Sequence, residues 1–156
     1  MTKKTSPVLF FEELAVGDEW ESPKRTITET DVVLFAGLTG DFTSLHVDHE
    51  AAKASPFGRP IAHGLLGLTI STGLITQVVR VDTLAFLGIM EWNFLRPIYF
   101  GDTIHSTATI IALETQARGR RGLVTWSRRV FNQTGDIVQE GKSQTLVRGN
   151  MPRKQS

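Results

Sequence analysis

The chain has 156 residues, of which 40% are hydrophobic and 21% are charged, and its formal net charge is +1. This length and balance predict a single globular domain, and the near-neutral charge is unlike the basic surface of a nucleic-acid-binding protein. Because the chain has no cysteine, disulfides, thiolate zinc sites, iron–sulfur clusters and a cysteine nucleophile are excluded.

The N-terminal segment holds two lysines but no apolar run, so we expect no secretory signal and a cytoplasmic protein. The most apolar window, 61–79, approaches the length of a membrane span but contains His63, Gln77 and several hydroxyl side chains. We therefore interpret this window as a buried core helix and expect no membrane partner.

Two short helices are predicted in the first third of the chain. The first covers Asp31–Leu38, with Thr30 or Asp31 as its N-cap and Gly40 at its C-terminal end. The second covers His49–Ala54, with Asp48 as its N-cap and Pro56 closing it.

A longer helix is predicted over Gly64–Val79, where no proline interrupts the chain. Its Leu, Ile and Val residues fall on nearly the whole helix circumference. A helix that is apolar on all sides must be enclosed by protein, so this element is predicted to be central.

Strands dominate the rest of the chain. Four segments are rich in Ile, Val, Thr, Trp and Phe and are separated by turn residues, and they cover Phe86–Leu95, Asp102–Leu113, Leu123–Phe131 and Ile137–Val147. Glu19–Thr28 is a candidate fifth strand. Their order suits an antiparallel meander, so we predict an α+β fold in which a curved sheet of about five strands wraps the central helix. The domain is expected to cover 10–148, with flexible tails at 1–9 and 149–156.

Three of the four histidines lie in two polar stretches, 40–49 and 57–64. Asp41 and His46 are five residues apart after Gly40, so a carboxylate and an imidazole can converge on one water molecule and move its protons. The alternative is that Asp41 caps a turn and His46 is an ordinary loop histidine. Spacing alone leaves both interpretations open.

His63 and Gly64 stand at the predicted start of the apolar helix. The first N–H groups of a helix lack partners and can hold a developing oxyanion, and glycine permits close approach of a substrate. The alternative is a glycine required for close packing. A metal site is not expected, because the histidines and Asp48 do not have the spacing of a known ligand set.

These residues resemble the MaoC-like dehydratases and (R)-specific enoyl-CoA hydratases. The resemblance rests on Gly40-Asp41-x-x-x-Leu45-His46-x-Asp48 and on Pro60-Ile61-Ala62-His63-Gly64-Leu65-Leu66. The stretches 10–18 and 94–103 are also similar to that family. The resemblance implies a hot-dog fold, in which an antiparallel sheet wraps one long helix.

The resemblance also implies roles for individual residues. Asp41 and His46 would hold the water that adds to an enoyl thioester, and the Gly64 N–H would bind the thioester oxygen. His63, Thr43 and Thr72 would contact the substrate, Thr72 standing where related hydratases often have a serine. Thr43-Ser44 departs from the Asn-Pro of the family. No cofactor or metal is implied.

The leading hypothesis is therefore a hydro-lyase that adds water reversibly to an enoyl-CoA or dehydrates an (R)-3-hydroxyacyl-CoA. The alternatives are a hot-dog acyl-CoA thioesterase and a non-catalytic acyl-CoA binding or assembly subunit. An acyl-CoA thioester is the expected ligand. Because a short sheet around one helix leaves unpaired edges, we also expect a homo-oligomer, at least a dimer.

Overall fold

The computed structural model describes residues 7–150. Its strands are β1 (Glu19–Glu21), β2 (Arg25–Thr26), β3 (Thr83–Phe94), β4 (Thr103–Gln116), β5 (Arg121–Phe131) and β6 (Ile137–Arg148). Its helices are α1 (Glu29–Thr39), α2 (Ser44–Val47), α3 (His49–Lys53) and α4 (Gly64–Ile75). One antiparallel sheet holds all six strands, in the order β1-β4-β5-β6-β3 with β2 also paired to β4. A sheet packed against one long helix confirms the predicted hot-dog fold.

The predicted meander is correct for β4, β5 and β6 but wrong for β3, which pairs with β6 rather than with its sequence neighbour β4. The segment between β3 and β4 crosses from the β3 edge of the sheet, past β6 and β5, to β4 instead of forming a hairpin. It is held there by Ile98, which is buried and accepts a hydrogen bond from the Ala62 N–H at 2.8 Å. This crossing brings β3 to an edge of the sheet.

Helix α4 packs on the sheet through one face only. Leu66, Ile70 and Leu74 point inward with Ile104, Val130 and Val138 of the strands. Leu65, by contrast, is 58% exposed, so the prediction of a helix enclosed on all sides is wrong for the single chain. The helix also ends at Ile75, because the next N–H groups bond to nearer carbonyls in tight turns.

The caps of the two short helices were predicted with mixed success. Helix α1 begins earlier than expected, because Thr28 is its N-cap: its hydroxyl accepts from the Asp31 N–H at 3.2 Å, and Asp31 accepts from the Thr28 N–H. Thr30 and Asp31 are therefore not the cap. Gly40 ends α1 in the left-handed conformation (φ 79°), and Asp48 caps α3 as predicted.

The ordered chain extends beyond 10–148 at both ends. Leu9 donates its N–H to the Arg80 carbonyl at 2.8 Å, and Gly149 donates to the Arg120 carbonyl at 2.9 Å. Residues 1–6 and 151–156 of the expected tails lie outside the described residues. Among the helices formed by 7–150, none combines the length and apolar character that a membrane span requires.

Candidate functional site

Three short segments meet beside the start of α4. Asp41 directly follows Gly40 at the end of α1, and His46 lies on α2, a one-turn helix that the sequence did not predict. His63 and Gly64 begin α4. One polar atom from each of Asp41, His46 and His63 lies within 4.8 Å of the other two. The structure therefore brings the two predicted catalytic side chains together.

The Asp41 carboxylate is held by its neighbour Thr43. The Thr43 hydroxyl donates to Asp41 Oδ1 at 2.6 Å, and the Thr43 N–H donates to the same oxygen at 3.1 Å. These two hydrogen bonds, and the nearby imidazoles of His63 and His46, lower the pKa of Asp41 below its ordinary value, although slight burial opposes them. At neutral pH Asp41 is therefore an ionised carboxylate, ready to accept a proton.

His46 is oriented by a backbone carbonyl. Its Nδ1 lies 2.7 Å from the Ile61 carbonyl oxygen, which can only accept a hydrogen bond, so Nδ1 carries the hydrogen. In the neutral ring Nε2 is then unprotonated and available to accept a proton or to hold a water molecule. This arrangement gives His46 the tautomer of a general base.

His63 is the buried member of the cluster, only 3% exposed. Its Nε2 donates to the Asp41 carbonyl at 2.9 Å and lies 4.0 Å from the Asp41 carboxylate. Its ring stacks on His46, with centroids 3.9 Å apart, and also packs against Phe35 at 5.0 Å. His63 thus ties the loop that carries Asp41 to the start of α4.

Gly64 supplies the first N–H of α4. Within the described residues, the N–H groups of Gly64 and Leu65 have no hydrogen-bond partner. A Cβ at position 64 would stand 2.8 Å from the Phe94 ring, so packing alone favours glycine here. Gln139 donates to the Gly64 carbonyl at 3.0 Å and fixes the peptide. Both interpretations of Gly64, close packing and a free donor, agree with this geometry.

A cavity of about 470 Å³ opens at this end of α4. His46, His63 and Gly64 line it, together with Phe94 at the end of β3 and Leu95 at the start of the crossing segment. Asp41 stands next to the cavity through its contact with His63. A mostly apolar cavity that is lined by imidazoles and the start of α4, with a carboxylate next to it, suits an acyl group with a polar reacting centre.

The three donors could also hold a divalent cation, since carboxylate and imidazole are common ligands. The same spacing allows one water molecule to bond to the Asp41 carboxylate and to His46 Nε2. Two of the ring nitrogens are already committed to carbonyl oxygens, of Ile61 and Asp41. These commitments favour water.

Thr72 does not reach this cluster. Its hydroxyl donates to the Leu68 carbonyl at 2.9 Å, and the residue lines a different cavity of about 400 Å³ near the other end of α4. Thr43, in contrast, acts on Asp41 rather than on the substrate side of the site. The site residues predicted from the sequence thus divide between two places along the helix.

Three groups that shape the site were not predicted from the sequence: the Ile61 carbonyl, Phe94 and Gln139. The Ile61 carbonyl orients His46, but a backbone acceptor leaves no trace in a residue pattern. Phe94 and Gln139 come from β3 and β6, far along the chain, and reach Gly64 only because the sheet wraps α4.

Comparisons with known proteins agree on one family. A family model for the MaoC like domain matches residues 12–128. The (R)-specific enoyl-CoA hydratase of Aeromonas caviae is 31% identical over 130 residues, covering 83% of this chain and 92% of that protein. Protein MaoC of Klebsiella aerogenes is 37% identical over 100 residues, 64% of this chain and 30% of its own length. The solved structure of a monoamine oxidase regulatory protein from Archaeoglobus fulgius has a TM-score of 0.88 at 38% identity, covering 92% of this chain and 97% of that one.

Proposed function

Because this chain belongs to the MaoC-like domain family, we propose that it is a hydro-lyase acting on an acyl-CoA thioester. In the hydration direction it adds water to the α,β-double bond of an enoyl-CoA and forms an (R)-3-hydroxyacyl-CoA. The relative from A. caviae is named for this activity. The observation that carries the proposal is the convergence of Asp41 and His46 within the reach of one water molecule.

The water is positioned by the two side chains together. The ionised Asp41 carboxylate accepts one hydrogen bond from the water, and His46 Nε2 accepts the other. The water oxygen then bonds to the β-carbon of the substrate while one of its protons moves to the Asp41–His46 pair. The pair returns a proton to the α-carbon, so the addition balances without a redox step. Dehydration is the same sequence in reverse.

The thioester carbonyl must carry negative charge as the β-carbon is attacked. The free N–H groups of Gly64 and Leu65 at the start of α4 are placed to receive this oxygen, and the helix dipole adds to their effect. Gln139 supports the donor by holding the Gly64 carbonyl. An enolate-like transition state is stabilised more than the neutral ground state by such donors.

The working form is proposed to be a homodimer joined along β3. This strand is an edge of the sheet, and Leu84, Phe86, Leu87 and Ile89 on it are 41%, 52%, 53% and 43% exposed. A long apolar edge is a template for pairing with a second copy. Such pairing would also cover the exposed Leu65 face of α4 beside the candidate site.

The test is an assay with crotonyl-CoA that follows both the enoyl absorbance and free thiol, with and without a chelator. Hydration predicts loss of the enoyl absorbance without thiol release, an (R)-3-hydroxybutyryl-CoA product, and no effect of the chelator. Thiol release at the same rate would identify a thioesterase. No reaction from a folded protein that binds the thioester would identify a non-catalytic subunit.

A further inference from the structure

A buried arginine lies beneath α4, away from the candidate site. Arg128 is on β5 and only 7% exposed. Its neighbours across the sheet are Ala108 on β4, whose side chain is small, and Gly141 on β6. The arginine therefore occupies space between the sheet and the helix that an apolar residue would ordinarily fill.

This guanidinium has no counter-ion among residues 7–150. The carboxylates of Glu140 on the adjoining strand β6 and of Glu91 on β3 are paired with Arg129 and Lys142 instead. Burial lowers the pKa of Arg128 to about 10, so the group still carries its positive charge at neutral pH. A buried charge without a partner is costly and calls for an anion.

The hydrogen bonds of this region are incomplete as well. Arg128 Nη2 makes one long contact to the Ser71 carbonyl, at 3.5 Å, and Nε is buried without a partner in the described chain. The Ser143 hydroxyl, two positions from Gly141 on β6, is also buried without a partner. Two such groups on neighbouring strands indicate a polar ligand group.

Arg128 lines the cavity of about 400 Å³ that also contains Thr72. Much of the remaining wall is apolar, including Ile75, Val79, Phe86 and Trp126. Arg80 is the other cation of the lining, and it is exposed to solvent. The cavity thus offers a hydrophobic lining with one buried positive charge.

The two cavities lie along the same pair of elements. Gly64 of α4 and Phe94 of β3 line the cavity at the candidate site, whereas Thr72 and Phe86 of the same elements line the cavity at Arg128. Thr72 lies eight positions after Gly64 in α4, which corresponds to a rise of about 12 Å along the helix axis. An acyl chain that runs along α4 from a thioester at Gly64 would lead toward Arg128.

We propose that Arg128 binds a carboxylate at the far end of the acyl group, so that the preferred substrates are CoA thioesters of unsaturated dicarboxylic acids. This inference rests on the proposed hydro-lyase function. The planar guanidinium can bond to both oxygens of a carboxylate. A substrate ending in methyl leaves the buried charge without its partner, which is the basis of discrimination.

The test compares matched pairs of enoyl-CoA substrates with four, six and eight acyl carbons, one ending in methyl and the other in carboxylate. For the length that reaches Arg128, the wild type is expected to favour the carboxylate by about tenfold or more in kcat/KM. Arg128→Met should remove this preference while it keeps turnover of the methyl-ended substrate. Arg128→Lys keeps a positive charge at this position, so it should retain part of the preference for the carboxylate-ended substrate.

Arg129→Met is the matched control, because this neighbouring arginine points to the opposite face of the sheet and is exposed. It should leave the preference unchanged. Equal kcat/KM for both members of every pair in the wild type would overturn the proposal. So would an unchanged preference in folded Arg128→Met, as shown by its thermal melt.

A binding measurement separates this inference from the hydro-lyase proposal. Octanoate and octanol are titrated calorimetrically into the wild type, Arg128→Met and Arg129→Met. Octanoate should bind the wild type and Arg129→Met, and its affinity should fall by about tenfold or more in Arg128→Met. Equal octanoate affinities in the wild type and Arg128→Met would refute the carboxylate site, whether or not the protein hydrates crotonyl-CoA.

Discussion

The imidazole of His46 stacks on the imidazole of His63, with ring centroids 3.9 Å apart and 29° between the planes. The buried ring thereby supports the one that faces the cavity. Because His63 also donates to the Asp41 carbonyl, it joins both members of the proposed catalytic pair. His63 is a positioning residue in this account, since its Nε2 is committed to the Asp41 carbonyl and its Nδ1 is buried.

His63→Phe should preserve the stack but lose the hydrogen bond to the loop of Asp41. The expected result is a fall in kcat of up to about 10²-fold with little change in KM, because misplacement of a catalytic group by about 1 Å has this effect. Steady-state kinetics measure it. His49→Phe, at an exposed histidine paired with Glu29, is the control and should behave as wild type. An unchanged kcat in His63→Phe would contradict the positioning role.

Thr43 controls the charge state of Asp41. Thr43→Val removes the hydroxyl that is the largest cause of the lowered pKa, so the pKa of Asp41 should rise. Because the carboxylate is the active form, the acid limb of the pH profile of kcat/KM should move to higher pH in this variant. Thr43→Ser keeps the hydroxyl and should retain the wild-type profile. Superimposable acid limbs for Val and wild type would refute this assignment.

The proposed oxyanion donor, the Gly64 N–H, can be removed with proline at position 64. Proline suits the first turn of a helix, and the ψ of 137° at His63 is the conformation that a residue before proline prefers. Because Phe94 crowds any side chain at 64, the change is made in a Phe94→Ala background. Gly64→Pro should lower kcat by about 10²–10³-fold there, whereas Gly64→Ala, which keeps the N–H, should not.

The kcat values of Gly64→Pro and Gly64→Ala are each compared with that of the Phe94→Ala parent, and thermal melts are recorded for all three variants. Equal kcat values for the alanine and proline variants would place the oxyanion donor elsewhere. They would also leave close packing against Phe94 as the reason for glycine at this position.

A lysine introduced on β3 tests whether the dimer forms along this strand. Ile89→Lys should place two lysines at the proposed junction and shift light scattering toward the monomer mass. Ile111→Lys is matched to it, since Ile89 and Ile111 are 43% and 40% exposed and Ile111 lies on β4, an interior strand. A wild type that remains monomeric over a wide concentration range would contradict the dimer itself. Dissociation caused only by Ile111→Lys would place the interface elsewhere.

Much of the fold follows from local patterns. Runs of β-branched residues predicted the four long strands to within a few residues, and Gly40 and Asp48 marked helix ends through capping rules that act within one turn. Thr28 follows the same rules, since the Thr28-x-x-Asp31 spacing is a capping box with aspartate in place of glutamate. That cap was predictable and was missed.

Local sequence patterns could not predict that β3 pairs with β6. Hairpins form between neighbours when the connection is short, whereas the segment after β3 is held across the sheet by Ile98 and by a bridge between Ile61 and Tyr99. Those are long-range contacts without a local signature. The identity of the exposed face of α4 also depends on long-range packing. The helix is apolar on every side, so its sequence alone does not show which residues contact the sheet.

The candidate site, like the fold, was predicted from the sequence only in part. Asp41 and His46 were predicted as a pair from the family resemblance, because their spacing alone left two interpretations open, and in the structure their polar atoms lie within 4.8 Å of each other. The hydrogen bond from Thr43 and the Ile61 carbonyl that selects the His46 tautomer were not predicted, because both depend on the folded loop. No local pattern marks Arg128 as buried, because its burial depends on how α4 packs on the sheet.

A double-mutant cycle on the initial rate of crotonyl-CoA hydration shows whether Asp41 and His46 act on one water. Asp41→Asn and His46→Ala should each lower kcat by about 10²–10⁴-fold, and the double variant should lose little more, because groups that act as one unit are non-additive. Unchanged thermal melts must accompany these losses. Retained turnover in either folded single variant, or losses that simply multiply in the double variant, would contradict the account.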